Sequence, residues 1–174
     1  MQIEVAKIEQ TPLTGTFEIK EQSAGGQGFE SFTVQHCVVS YELYRISDTE
    51  ISFKATYDGS LKLDCTTCLD EYMLPVGESF SILFKIRLPE LAGLITLNEK
   101  DGDIQFITED TIDIEKQVLD AMQLDLPIAH QCKEDCKGIC SSCGVNLNDG
   151  PCNCKQEKVD PRWHALESLL HKKE

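Results

Sequence analysis

Six of the nine cysteines crowd into the 23 residues from Cys132 to Cys154, CKEDCKGICSSCGVNLNDGPCNC. That stretch holds almost no bulky apolar side chains. Hydrophobic burial cannot order it, and a segment so poor in core material needs a cross-link or a metal to fold. Disulfides belong to oxidising compartments. The opening MQIEVAKIEQTPLTG has neither the basic start nor the apolar stretch of a secretory signal, and apolar runs such as Ile82-Leu83-Phe84 are far too short to span a bilayer. The expectation is a cytoplasmic protein with no membrane partner, in a reducing compartment where clustered thiols act as metal ligands.

The cluster spacing is Cys132-x3-Cys136-x3-Cys140-x2-Cys143-x8-Cys152-x-Cys154. Cys140-Ser141-Ser142-Cys143-Gly144 has the form of a zinc knuckle. Two thiolates three residues apart grip one ion, and the glycine permits the tight turn in which backbone N–H groups face the sulfurs. Asn146, Asn148, Asp149, Gly150 and Pro151 form a turn that brings Cys152 and Cys154 back to complete a four-thiolate site. A further pair, Cys65-Thr66-Thr67-Cys68, lies far upstream at a corner between strands. Eight of the nine cysteines thus fall into four close pairs, enough for two sites. Cys140, Cys143, Cys152 and Cys154 make the first. Cys65, Cys68, Cys132 and Cys136 make the second, which staples the tail to the sheet. Spacing alone does not fix a pairing across 63 intervening residues, so one zinc with spare thiols also fits. The expected cofactor is structural Zn2+, one or two ions, each contributing on the order of 10 kcal/mol to such a module.

Other chemistries compete. A thiol-dependent redox enzyme using Cys65 and Cys68 needs a strand turning into a long helix, whose N-terminus lowers the thiol pKa. The following LDEYMLPVG contains a proline and reads as strand. An iron–sulfur cluster draws on the same ligands, usually as repeated CxxC with a remote cysteine. A metal-storage or sensing module would hold its ion weakly. A hydrolytic zinc keeps an open position, usually made with His or a carboxylate, whereas this cluster is all thiolate. His130, just before the cluster, is a possible substitute ligand, and the lone Cys37 reads as strand packing. No Ser/His/Asp or Cys/His pattern, phosphate-cradling glycine loop or defined carboxylate pair is visible, so the reading is not an enzyme and no small-molecule substrate is evident.

The rest of the chain supplies a core. Thr16–Lys20 alternates like a short strand, and SAGGQG (23–28) reads as a loop. From Phe32 to Leu88 apolar residues recur with period two. Phe32, Val34 and His36, then Val39, Tyr41 and Leu43, mark a strand with a slip or bulge near Cys37. Ile51 to Tyr57 runs into Asp58-Gly59, a hairpin signal, before Leu61, Leu63 and Cys65. Tyr72, Leu74 and Val76 give another strand, and Phe80 to Leu88 a further one. TIDIEKQVLDAMQLD (111–125) predicts a helix capped by Thr111, with Ile114, Val118, Ala121 and Met122 facing the core and Pro127 ending it. Asp160-Pro161-Arg162-Trp163 opens a short closing helix. The fold class is therefore α+β: an antiparallel β meander or half-barrel with one packed helix, then a Cys-rich zinc-binding tail and a short C-terminal helix. The domains are a sheet-plus-helix body, 1–129, and a metal-binding tail, 130–174.

Charge divides along the same line. Of the net −14, residues 1–130 carry 9 Lys+Arg against 23 Asp+Glu, or −14, while residues 131–174 carry 7 against 7, or zero. An acidic body repels phosphate backbones. It fits basic proteins, with Lys133, Lys137, Lys155, Lys158 and Arg162 left as the tail's phosphate contacts.

Taken in order, LDCTTCLDEY, TIDIEKQVLDAMQLDLPI, CKEDCKGICSSCGVNLNDGPCNC and DPRWHALESL resemble the YceD family, the large ribosomal RNA subunit accumulation proteins of bacteria and plastids. The resemblance covers roughly residues 50–172. Ser141 stands where a proline often follows the family's third cluster cysteine. The resemblance implies a factor for accumulation or maturation of large-subunit (23S) ribosomal RNA. Its partner would be the large-subunit precursor, met through a basic ribosomal protein, rRNA or both, and its tail would bind metal. Some members lack much of the cysteine tail, which implies that the tail metal is stabilising and not the shared activity.

Overall fold

The computed structural model describes residues 1–25, 31–86 and 104–154. A short strand β1 (Gln2–Glu4) and a single 3-10 turn (Val5–Lys7) lead into four long strands, β2 (Leu13–Ala24), β3 (Phe32–Ser47), β4 (Glu50–Asp64) and β5 (Glu71–Ile86). These pair antiparallel in sequence order. The following strand β6 (Ile104–Ile107) adds parallel to the far end of β5. The main sheet is therefore mixed and open, in the order β2-β3-β4-β5-β6, and not the all-antiparallel half-barrel expected from alternation alone. Strand β7 (Thr111–Asp113) pairs with β1 in a second, two-stranded sheet and runs directly into the helix α1 (Ile114–Asp125).

The core face follows the period-two pattern. On β4 it comprises Ile51, Phe53, Ala55, Tyr57, Leu61 and Leu63, each buried. On β3 the phase changes: Phe32 and Val34 point inward, then Cys37, Val39 and Leu43. The register shows why, since Val34 pairs with Leu61 and His36 with Ser60, leaving Gln35 as a bulge residue. One extra residue moves every later side chain to the other face, so the bulge keeps apolar residues inside along the whole strand.

The Asp58-Gly59 pair is not a turn. It sits in mid-strand on β4, where a Cβ on Gly59 would lie 2.3 Å from the His36 carbonyl oxygen. The glycine is needed for the close approach of the bulged neighbour, not for a reversal of the chain. Likewise Tyr72 to Ile86 is one strand: its register with β4 runs without a shift from Glu71 to Lys85, straight past the exposed Glu78. Leu88 lies outside the described residues.

Helix α1 closes this face with Ile114, Val118 and Met122, all buried. Its N-cap is Asp113, whose carboxylate accepts the Lys116 N–H at 3.3 Å. Thr111, the expected cap, is instead taken up by pairing with Glu4 across to β1. Leu126 and Pro127 end the helix, as an extended residue before proline does. Ser23 and Ala24 are the end of β2, while residues 26–28 of the expected loop and the whole expected closing helix lie outside the described residues. No helix among the described residues is long and apolar enough to cross a membrane.

Candidate metal centres

Strand β4 ends at Asp64 and β5 begins at Glu71, and the corner between them is the Cys65–Cys68 turn. The Cys65 N–H donates to the Asp70 carbonyl at 2.9 Å and the Leu69 N–H to the Cys65 carbonyl at 2.9 Å. In the tail the same pattern recurs: the Cys140 N–H donates to the Val145 carbonyl and the Gly144 N–H to the Cys140 carbonyl, both at 2.8 Å. Each turn needs a residue of positive φ just after its second cysteine, and Leu69 (65°) and Gly144 (73°) supply it. These are two copies of one turn, each presenting two sulfurs on one side and amide donors behind them.

The segment 130–139 lies against the first turn. The Thr66 N–H and hydroxyl both donate to the His130 carbonyl, at 3.1 and 2.7 Å. The Ile139 N–H donates to the Thr67 carbonyl at 3.2 Å. Gly138, with φ 72°, rests on Thr67 so closely that a Cβ would meet the threonine methyl at 2.9 Å. Cys132 and Cys136 are thereby delivered to Cys65 and Cys68, with Cys65–Cys136 and Cys68–Cys132 sulfur separations of 3.8 and 3.7 Å. All four sulfurs lie within 4.8 Å of one another. The sulfurs of Cys140, Cys143, Cys152 and Cys154 do the same, with Cys140–Cys152 at 3.4 Å.

These dimensions fit a single ion. Four sulfurs at about 2.3 Å from a tetrahedral zinc stand about 3.8 Å apart. A polynuclear iron–sulfur cluster would have to occupy the space between the thiolates and hold them wider. Each group can therefore hold one metal ion such as zinc. The electrostatics point the same way. Burial raises the Cys65 thiol, but the amides of Cys68, Cys132 and Thr67 outweigh it and bring it down to about 6. Cys140 is held at about 6 chiefly by the Cys143 amide, with the Ser142 amide and Cys152 thiol assisting. Burial, with the Cys136 and Cys65 thiols, pushes Cys132 up against the opposing Cys68 thiol, and the Cys143 thiol, then burial, pushes Cys154 up to about 12. Each group favours one thiolate and penalises the next, which is the balance a cation reverses.

His130 is placed elsewhere. Its ring packs against Tyr72, with Nδ1 3.0 Å from the Tyr72 hydroxyl, and it belongs to neither sulfur set. Cys37 is fully buried in β3, and burial raises its thiol pKa. Sequence reasoning missed the roles of Thr66, Thr67 and Asp70 in the frame around the sulfurs, and read Asn146 and Asn148 as turn residues alone. The two asparagines stood in the recognised motif, but nothing local told what they bind.

The profile of the family described as "Large ribosomal RNA subunit accumulation protein YceD" matches residues 53–170, more than half of the chain. An uncharacterized protein of Mycobacterium tuberculosis is 34% identical over 107 residues, 62% of this chain and 49% of the relative. The chain thus spans about half the length of that relative. The uncharacterized protein YlbN of Bacillus subtilis is 29% identical over 126 residues, covering 72% and 69% of the two chains. A third relative, "Large ribosomal RNA subunit accumulation protein YCED homolog 1, chloroplastic" of Arabidopsis thaliana, is 40% identical over 58 residues, 33% of this chain and 18% of its own. No solved structure matches.

Proposed function

The chain belongs to the YceD family of large ribosomal RNA subunit accumulation proteins, and on that premise we propose that it supports accumulation of large-subunit ribosomal RNA as a non-enzymatic factor held together by structural zinc. Family membership carries this reading. The cysteine geometry supports the structural role: four sulfurs around each centre leave no open coordination position for a water or substrate.

We place both ions by the same reasoning, one in Cys140, Cys143, Cys152 and Cys154 and one in Cys65, Cys68, Cys132 and Cys136. The first group orders the tail from 130 onward and the second ties it to the body of residues 1–129. The partner we infer is the large-subunit precursor, met through a basic ribosomal protein on the acidic body. The charge of −14 over residues 1–130 favours a basic surface and disfavours bare phosphate. Thiol centres of this kind persist in a reducing compartment, which is why we assign the cytoplasm.

The test is depletion of the chain in its own cells, followed by the ratio of large- to small-subunit ribosomal RNA. The ratio should fall, and a copy with Cys65→Ser and Cys68→Ser should restore it poorly. An unchanged ratio on depletion would remove the reading.

A further inference from the structure

The motif Asn146-Leu147-Asn148 lies between the two sulfur groups and belongs to neither. The Asn148 side-chain amide donates to the Cys136 sulfur at 3.5 Å. Its Oδ1 accepts the Lys137 N–H at 3.0 Å. Asn146 Oδ1 in turn accepts both the Asn148 N–H and the Asn148 Nδ2, each at 2.9 Å. Asn146 Nδ2 donates to the carboxylate of Asp70, whose Oδ2 lies 3.6 Å from the Cys68 sulfur. The chain of contacts thus runs from Cys136 through Asn148 and Asn146 to Asp70 and the Cys68 side of the same group. Both asparagines are held in place by the tail hairpin, through Leu147 N–H to the Gly138 carbonyl at 2.8 Å and the pairing of Ile139 with Asn146. That hairpin is the one whose closed end is the Cys140–Cys143 turn.

We propose that Asn146 and Asn148 are positioning residues for the sheet-side metal, and that the tail metal acts through them to hold that ion in place. The inference rests on the zinc reading above. A thiolate that accepts an N–H is fixed in direction and carries less charge, which suits four sulfurs around one divalent ion. The Asp70 carboxylate beside Cys68 would repel the thiolates if it turned freely, and Asn146 occupies it. Losing the tail metal frees the hairpin, takes both asparagines away, and leaves the sheet-side ion with its four sulfurs but without their outer partners. The two centres are also unequally shielded: Cys65 and Cys68 are buried, whereas Cys143 is exposed.

The experiment is zinc release from the full chain, purified without added metal, into excess chelator with a colour readout. Two phases are expected, a fast one from the tail group and a slow one from the sheet-side group. Asn148→Ala should accelerate the slow phase by about tenfold or more and leave the fast phase alone. Cys143→Ser with Cys154→Ser should abolish the fast phase and accelerate the slow one similarly. Asn148→Asp keeps the acceptor for Lys137 and removes the donor to Cys136, so it should match or exceed the alanine variant. With cobalt in place of zinc, the thiolate-to-metal charge-transfer band of Asn148→Ala should move to longer wavelength, because an unbonded thiolate yields its electron more easily. A general loosening of the fold would not move that band. A slow phase unchanged within twofold in Asn148→Ala and in the tail-emptied variant, with an unmoved band, overturns the proposal while the zinc reading stands. A wild-type chain carrying no metal overturns both.

Discussion

Leu69 and Gly144 occupy the same place in two matching turns, each following the second cysteine of a CxxC with a left-handed backbone, at φ 65° and 73°. Only one of them is the residue that conformation favours. An L side chain in the left-handed region costs about 1–2 kcal/mol, and a glycine gives back about 0.5–1 in unfolded-state freedom. The Leu69 side chain is 65% exposed, so little burial opposes the exchange. Leu69→Gly should raise the stability of the metal-loaded protein by about 0.5 kcal/mol. Gly144→Ala should lower it by about 1 kcal/mol from backbone strain alone, since nothing lies within 4 Å of the added Cβ. Denaturant unfolding of the two variants checks the pair; shifts of the same sign would show that the turns are not equivalent.

Tyr57 on β4 donates its hydroxyl to Asp125 at the end of α1, tying the centre of the sheet to the helix. Burial, then the Asp125 carboxylate, raises its pKa above the ordinary value of 10.0. A tyrosine whose folded pKa is raised contributes stability that is complete below pH 10 and disappears as pH climbs through the folded value. Tyr57→Phe should therefore cost about 1 kcal/mol at pH 7, because Asp125 is exposed and water replaces the lost donor. Above pH 10 the wild type should lose stability more steeply than the variant, read from unfolding midpoints across pH 7 to about 11.

Thiol labelling separates the cysteines by environment. In the metal-loaded chain at pH 7, iodoacetamide followed by peptide mapping should find all eight clustered sulfurs protected. After chelation, Cys65 should label before the other sheet-side cysteines, because the Cys68 and Thr67 amides of the sheet corner still lower its pKa when the tail, Cys140 included, has come loose. Cys37 should stay unlabelled in both states, since burial keeps it a thiol and out of reach. Early labelling of Cys65 in untreated, metal-bearing protein would instead favour a redox role for that pair.

The strands and the helix were legible because burial imposes a period, and β4 with its six inward residues shows it cleanly. What escaped the pattern had non-local causes. Asp58-Gly59 carries the composition of a turn, yet the glycine answers to a bulge on the neighbouring strand that no short window contains. Strand β6 is four residues long and parallel, so its partner is set by the path of the chain and not by its own residues. The same division holds at the sulfurs. CxxC and a following glycine announce a turn that grips an ion, but the first turn ends in Leu69, which nothing marks as left-handed. The asparagines were visible as a motif, while their partners Asp70 and Cys136 lie 76 and 12 residues away from Asn146 and Asn148.

Cys68 and Cys132 are 64 positions apart along the chain and 3.7 Å apart at their sulfurs. An ion between them turns β5, β6, β7 and α1 into a closed ring tied at one knot. If the molecule is pulled by its two ends, β1 must first peel from β7, after which tension passes from strand β4 across the knot into the tail and bypasses that ring. About 220 Å of contour, 64 positions at about 3.5 Å each, stays out of the extension until the sulfurs let go.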